Sequence, residues 1–180
     1  MIEVISGTNR PGSNSLKVAK IIEGKYKKLG VKVNLLDLCD LPLSLFNGES
    51  YEKKPKDFES YSQRILKSKG LHVVAPEYNG SYPGALKYFI DHLPFPESFE
   101  HRCVSFTGVA SGIWGGLRSV EQLQGVFGYR NAFISPERTF LSSIHKKLNQ
   151  SGTEITDEFM NGLLDDQIKK FVNFVQKLSS

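Results

Sequence analysis

The ten residues from Ser6 to Ser15 read SGTNRPGSNS and lie between an apolar run and an amphipathic stretch. Thr8, Ser13, Asn14 and Ser15 carry short polar side chains. The guanidinium of Arg10 can bind two oxygens of one phosphate at once. Gly7 and Gly12 let the backbone come close to a ligand. A helix starting near Ser15 leaves its first amides unpaired and points the positive end of its dipole at the loop. These residues make an anion site suited to a phosphate. The same residue types also build ordinary turns and caps, so the loop alone leaves both readings open. Its spacing is neither G-x-G-x-x-G nor G-x-x-x-x-G-K-[ST], which speaks against a Rossmann dinucleotide site and a P-loop.

A second unusual segment, PEYNGSYPGAL, runs from Pro76 to Leu86 directly after the most continuous aliphatic run, Leu71 to Ala75. Glu77, Tyr78 and Asn79 between Pro76 and Gly80 form a rigid turn with an aromatic face, a wall for a flat heteroaromatic ring. A third segment, Ser111 to Gly116, places three glycines around Trp114. Trp114 either caps a strand-to-helix turn or borders a substrate or a partner subunit. Histidines 72, 92, 101 and 145 lack H-x-H or H-E-x-x-H spacing, and no serine sits in a G-x-S-x-G turn, so neither a metal site nor a hydrolase triad is expected. Cys39 and Cys103 lack C-x-x-C spacing and read as buried structural thiols in a reducing compartment.

These segments need a scaffold, and the hydrophobic pattern supplies one. Five short apolar runs alternate with five amphipathic stretches, the mark of strand-helix units around a parallel sheet covered on both faces. Strands are expected at Ile2–Ser6, Val31–Leu38, Leu71–Ala75, Arg102–Val109 and Asn131–Ser135. Helices are expected at Leu16–Leu29, Asp57–Ser68, Gly84–Leu93, Gly115–Phe127 and Thr156–Leu178, the last capped by the Thr156 hydroxyl. Cys39 to Lys56 has no sustained period and reads as a long loop bordering the site. In such a sheet, ligands bind outside the carboxyl ends of the strands, where the first two segments lie.

With 180 residues, 39% of them hydrophobic and 23% charged, the chain reads as a single domain, residues 1–180, with no membrane span. Met1 runs straight into a strand without a signal pattern, which points to the cytoplasm. The net charge of +4 comes from lysines on helix faces rather than a nucleic-acid patch, and mildly favours small anions.

On these segments the chain resembles the NADPH-dependent FMN reductase family. That family carries a G-S-x-R-x-x-S-x-N type loop after strand one, matched by Gly7, Thr8, Arg10, Ser13 and Asn14. It carries P-E-Y-N-x-S-x-P-G-x-L-K after strand three, matched by Pro76 to Lys87. The resemblance implies an α/β flavodoxin-like doubly wound fold, with a five-stranded parallel sheet of order 2-1-3-4-5 and helices on both faces. It implies that Thr8, Arg10, Ser13, Asn14 and Ser15 hold the FMN phosphate and that Pro76, Glu77, Tyr78, Asn79, Gly80 and Ser81 lie along the ring. It also implies that Ser111, Gly112, Gly115 and Gly116 meet the ring's polar edge, where close amides favour the reduced state.

The implied activity is an NAD(P)H-dependent oxidoreductase passing a hydride through flavin N5 to a quinone, azo compound, free flavin or chromate, with no catalytic side chain required. Arg118 then pairs either with a phosphate of the pyridine nucleotide (NADPH or NADH) or with a helix neighbour. Many relatives have tryptophan where His92 follows Asp91, on a helix often at a subunit boundary of the family's homodimers or homotetramers. The alternative is a flavodoxin-like FMN electron carrier or a flavin-binding protein without NAD(P)H activity; such carriers are typically acidic, unlike this chain.

Overall fold

The computed structural model describes residues 1–178. In chain order the elements are β1 (Ile2–Ser6), α1 (Asn14–Lys28), β2 (Val33–Asp37), α2 (Glu59–Lys67), β3 (Gly70–Pro76), α3 (Gly84–His92), β4 (Cys103–Val109), α4 (Leu117–Tyr129), β5 (Phe133–Leu141) and α5 (Glu158–Leu178). The strands form one parallel sheet in the order β2-β1-β3-β4-β5, with Ile2 in register with Val33 on one side and Gly70 on the other. The fold is the expected flavodoxin-like one.

Strand side chains alternate between two cores, as the pleat requires. Val73, Ile5 and Phe106 point to the face covered by α2, α3 and α4, where they meet Ile65, Phe89 and Leu123. Val74 and Val4 point to the face covered by α1 and α5, where they meet Ile22, Ile168 and Phe171. Every residue of β3 and β4 is buried.

One chain of polar groups crosses that second core. The Gln167 amide nitrogen donates to the Phe106 carbonyl at 2.8 Å and to Ser105 Oγ at 2.9 Å, so its oxygen accepts from the Thr107 hydroxyl at 3.0 Å. Thr107 therefore accepts from His72 Nε2–H at 2.8 Å, and His72 Nδ1 accepts from the Tyr26 hydroxyl at 2.8 Å. Every proton has a place when the imidazole is neutral. Burial pulls the His72 pKa down to about 3, in keeping with that tautomer. The chain fastens α1 and α5 to the two central strands.

Several expectations need correcting. The fifth strand runs to Leu141 rather than ending at Ser135. Its register jumps: Val104 faces Ile134, yet Phe106 faces Arg138, so two extra residues bulge out around exposed Pro136. A proline on a bulged edge strand resembles a turn in sequence. Helix α5 is capped by Asp157, whose Oδ1 accepts from the Met160 amide at 2.9 Å, while the Thr156 hydroxyl donates to the Lys147 carbonyl at 3.1 Å. That amide bond, helped by Lys147, holds the Asp157 carboxyl below its ordinary range.

The 39–56 segment folds into short 3-10 turns that pack beside α3 and does not line the cavity described below. Its Ser50 hydroxyl lies 2.7 Å from the ring of His92, which is buried under this segment of its own chain. Cys103 is buried, but Cys39 is only half-buried.

Candidate functional site

The carboxyl ends of β1, β3 and β4 open onto a cavity of about 550 Å³, lined by Arg10 to Ser15, Pro76 to Tyr78, Val109 to Gly112, Trp114 and Ile144. Ser13 starts α1 with extended backbone angles and accepts from the Leu16 amide at 3.1 Å. Among the described residues, the amides of Asn14 and Ser15 find no acceptor, and the first turn of α1 has no acidic side chain. The positive end of the helix therefore faces the cavity uncompensated. The Arg10 guanidinium, at the same rim, has no partner among the described residues, and only its amide is engaged, donating to Thr8 Oγ1 at 3.3 Å.

Thr8 itself is fully buried behind the lining, and its hydroxyl meets the Tyr78 hydroxyl at 3.0 Å. It ties the first loop to the turn after β3. Gly7 has a similar structural reason: a Cβ there would come within 2.7 Å of the Val74 carbonyl oxygen, so this position answers to β3, not to a ligand.

The turn after β3 divides in two. Pro76, Glu77 and Tyr78 line the cavity, whereas Asn79, Gly80 and Ser81 do not. Asn79 and Gly80 have φ of 52° and 76°, and Tyr78 and Ser81 exchange backbone bonds of 2.8 and 3.1 Å, a tight two-residue reversal that carries the chain away from the cavity.

Helix α4 clamps this turn. Ser119 donates to the Pro76 carbonyl at 3.0 Å, Gln122 donates to the Gly80 carbonyl at 3.1 Å, and the Ser81 hydroxyl donates to Gln122 Oε1 at 2.6 Å. Glu77 accepts from both the Arg118 amide and its guanidinium at 3.3 Å, so the partner of Arg118 is a side chain of the neighbouring turn. None of this clamping is visible in sequence, because it joins residues some forty positions apart.

The loop after β4 also splits. Ser111 and Gly112 line the cavity, and a Cβ at Gly112 would meet nothing. Gly115 and Gly116 are buried outside the lining. Gly116 has φ of 88° and would press a Cβ within 2.7 Å of the Val109 amide nitrogen, so glycine there lets the loop fold back on β4. Trp114 is 57% exposed at the rim, so the packed-cap reading of it is set aside. Ile144 was not anticipated. It reaches the wall because β5 is longer than expected and the Ile144 amide then bonds the Ala110 carbonyl at 3.2 Å.

The cavity thus combines unpaired donors at the start of α1 with two aromatic side chains, Tyr78 and Trp114. Residues 1–147 match the family model described as NADPH-dependent FMN reductase. The chain belongs to that family. As a member, it is an NAD(P)H-dependent, FMN-containing oxidoreductase. A quinone reductase of Escherichia coli strain K12 is 27% identical over 181 residues, covering 98% of this chain and 96% of the relative. An NADPH azoreductase of Bacillus sp. strain OY1-2 is 28% identical over 151 residues, covering 84% and 82%. The solved flavoenzyme NAD(P)H:(acceptor) oxidoreductase (FerB) of Paracoccus denitrificans superposes with a TM-score of 0.76 at 24% identity, covering 98% of this chain and 97% of that one. No described helix is long and apolar enough to cross a membrane.

Proposed function

We propose that this family member holds the FMN phosphate on the Asn14 and Ser15 amides, the Ser13 and Ser15 hydroxyls and the Arg10 guanidinium. The flavin ring then lies between Pro76–Tyr78 and Ser111–Gly112. The observation that carries this reading is the pair of partnerless amides at an uncompensated helix start, opening onto a cavity that Tyr78 and Trp114 also line. A mononucleotide with a dianionic phosphate and a flat tricyclic head calls for that same combination.

When bound, the flavin supplies the redox chemistry, accepting a hydride from NAD(P)H and reducing a second substrate. The protein's residues bind and orient. Tyr78, fixed by Thr8, offers a ring face, and α4 keeps the turn that carries it in place. Ser111 and Gly112 leave the opposite side of the cavity open and polar. No described side chain is needed as acid, base or nucleophile, and none is assigned.

The second substrate is a quinone or azo compound, a reading supported by what the E. coli and Bacillus relatives are named for. A face of α3 and α4 leaves Tyr129 83% and Phe95 61% exposed near a hollow of about 540 Å³, which supports a homodimer. The two free cysteines support a reducing, cytoplasmic location.

The test is the visible spectrum of the purified full chain supplied with FMN, recorded anaerobically before and after NADPH. A bound flavin absorbance that bleaches with NADPH and returns on adding a quinone is expected. A bound flavin that NADPH leaves oxidised would refute the enzymatic reading, and size measurement in solution checks the dimer.

A further inference from the structure

The start of α1 borders more than one hollow. A second, larger cavity of about 740 Å³ lies beyond Gly12 and Ser13, and these two residues line both. Its floor is the outward face of α1 from Leu16 to Lys28, and its far wall is the loop 151–155 ahead of α5. That wall is built. Asn149 Oδ1 accepts from the amides of Thr153 and Glu154 at 2.8 and 3.3 Å, and a Cβ at Gly152 would come within 2.7 Å of the Lys17 stem, so only glycine leaves room for it there.

The charge in this groove is one-sided. Lys17, Lys20 and Lys28 have no ion-pair partner among the described residues, Lys25 is held by Asp165 at 2.6 Å, and Glu154 is the one carboxylate among the described lining residues. Leu16, Ile21 and Ile155 interleave apolar surface with the cations. Lys17 and Lys20 stand four and seven residues past Ser13, roughly 6 and 10 Å along the helix axis at ~1.5 Å per residue. A phosphate seated on Ser13–Ser15 would thus have unpaired cations about one and two turns along the same helix, with apolar surface interleaved between them.

We propose that the groove is a subsite for the adenylate half of a flavin dinucleotide, so that this chain binds FAD as well as FMN, with Lys17 and Lys20 taking the second phosphate. The proposal rests on the placement of the flavin phosphate at the start of α1. A mononucleotide leaves the groove empty, and FAD fills both cavities across Gly12–Ser13.

The experiment is a fluorescence titration of the flavin-stripped full chain with FMN and with FAD, repeated for the double variant Lys17→Gln/Lys20→Gln. Glutamine keeps part of the stem against Gly152 while removing the charge. Wild type is expected to bind FAD at least as tightly as FMN, and the double variant to lose tenfold or more for FAD but less than twofold for FMN. The single variant Lys20→Gln, at an exposed position, should show a smaller loss in the same direction. FAD binding tenfold weaker than FMN in the wild type, or lysine variants that leave FAD affinity unchanged or weaken both flavins alike, would overturn the subsite. The parent reading fails separately: FMN bound no better than riboflavin refutes the phosphate placement itself.

Discussion

The carboxyl edge of the sheet and its middle treat polar groups in opposite ways. In the middle, Tyr26, His72, Thr107 and Gln167 form a continuous chain in which every donor finds an acceptor and the imidazole is neutral. At the edge, the Asn14 and Ser15 amides and the Arg10 guanidinium are left without acceptors among the described residues, around a cavity. Buried polar groups left unpaired are costly, so the first arrangement holds α1 and α5 on the sheet. Unpaired donors in a solvent-filled hollow cost little until a ligand excludes the water, and then they select its charge. Unmet hydrogen-bonding capacity, more than residue type, separates site from scaffold here.

That contrast can be broken from either side. The largest effect is expected from Gln167→Leu, which strands Thr107 and the Phe106 carbonyl in the core. It should lower stability by about 3 kcal/mol in denaturant titration and leave FMN affinity within twofold. Next, Arg10→Ala should weaken FMN binding by roughly 2 kcal/mol, about thirtyfold, without changing the melting midpoint of the flavin-free protein. A loss of stability from Arg10→Ala, or of flavin affinity from Gln167→Leu, would erase the distinction.

A smaller effect follows from His72. Its folded pKa, about 3, lies below the 6.5 of the unfolded chain, so the unfolded state binds the extra proton as pH falls. The neutral-imidazole contribution is therefore intact above pH 6.5 and is lost as pH falls toward 3, by about 1 kcal/mol between pH 6.5 and 5.5. His72→Gln should flatten this part of the stability–pH curve. The smallest effect is expected for Tyr78→Phe, which removes only the bond to Thr8. It should reduce stability by less than about 1 kcal/mol and flavin affinity by less than about threefold, measured in the same titrations.

The strand-helix alternation was legible because apolar runs and amphipathic stretches depend on local spacing, whereas the strand order was implied only by the family resemblance. The start of α1 near Ser15 was legible for the same local reason: Ser13 caps the helix through an amide three residues on. What could not be read depends on distant neighbours. Gly115 and Gly116 are glycines because β4 and β5 press on them, and nothing in their own segment distinguishes that from approach to a ligand. Asn79, Gly80 and Ser81 share a motif with Tyr78, yet the left-handed turn directs them toward α4. Pro136 concealed half of β5, and with it the place of Ile144 in the wall.

The central claim is that open donors at the start of α1 bind the flavin through its phosphate. Comparing the affinities of the flavin-stripped wild type for FMN and for riboflavin, which differ only in that phosphate, tests it most directly. FMN should bind at least about a hundredfold more tightly, the sum of two or more charge-assisted contacts. Equal affinities would mean that the ring alone is recognised and that the start of α1 plays no part.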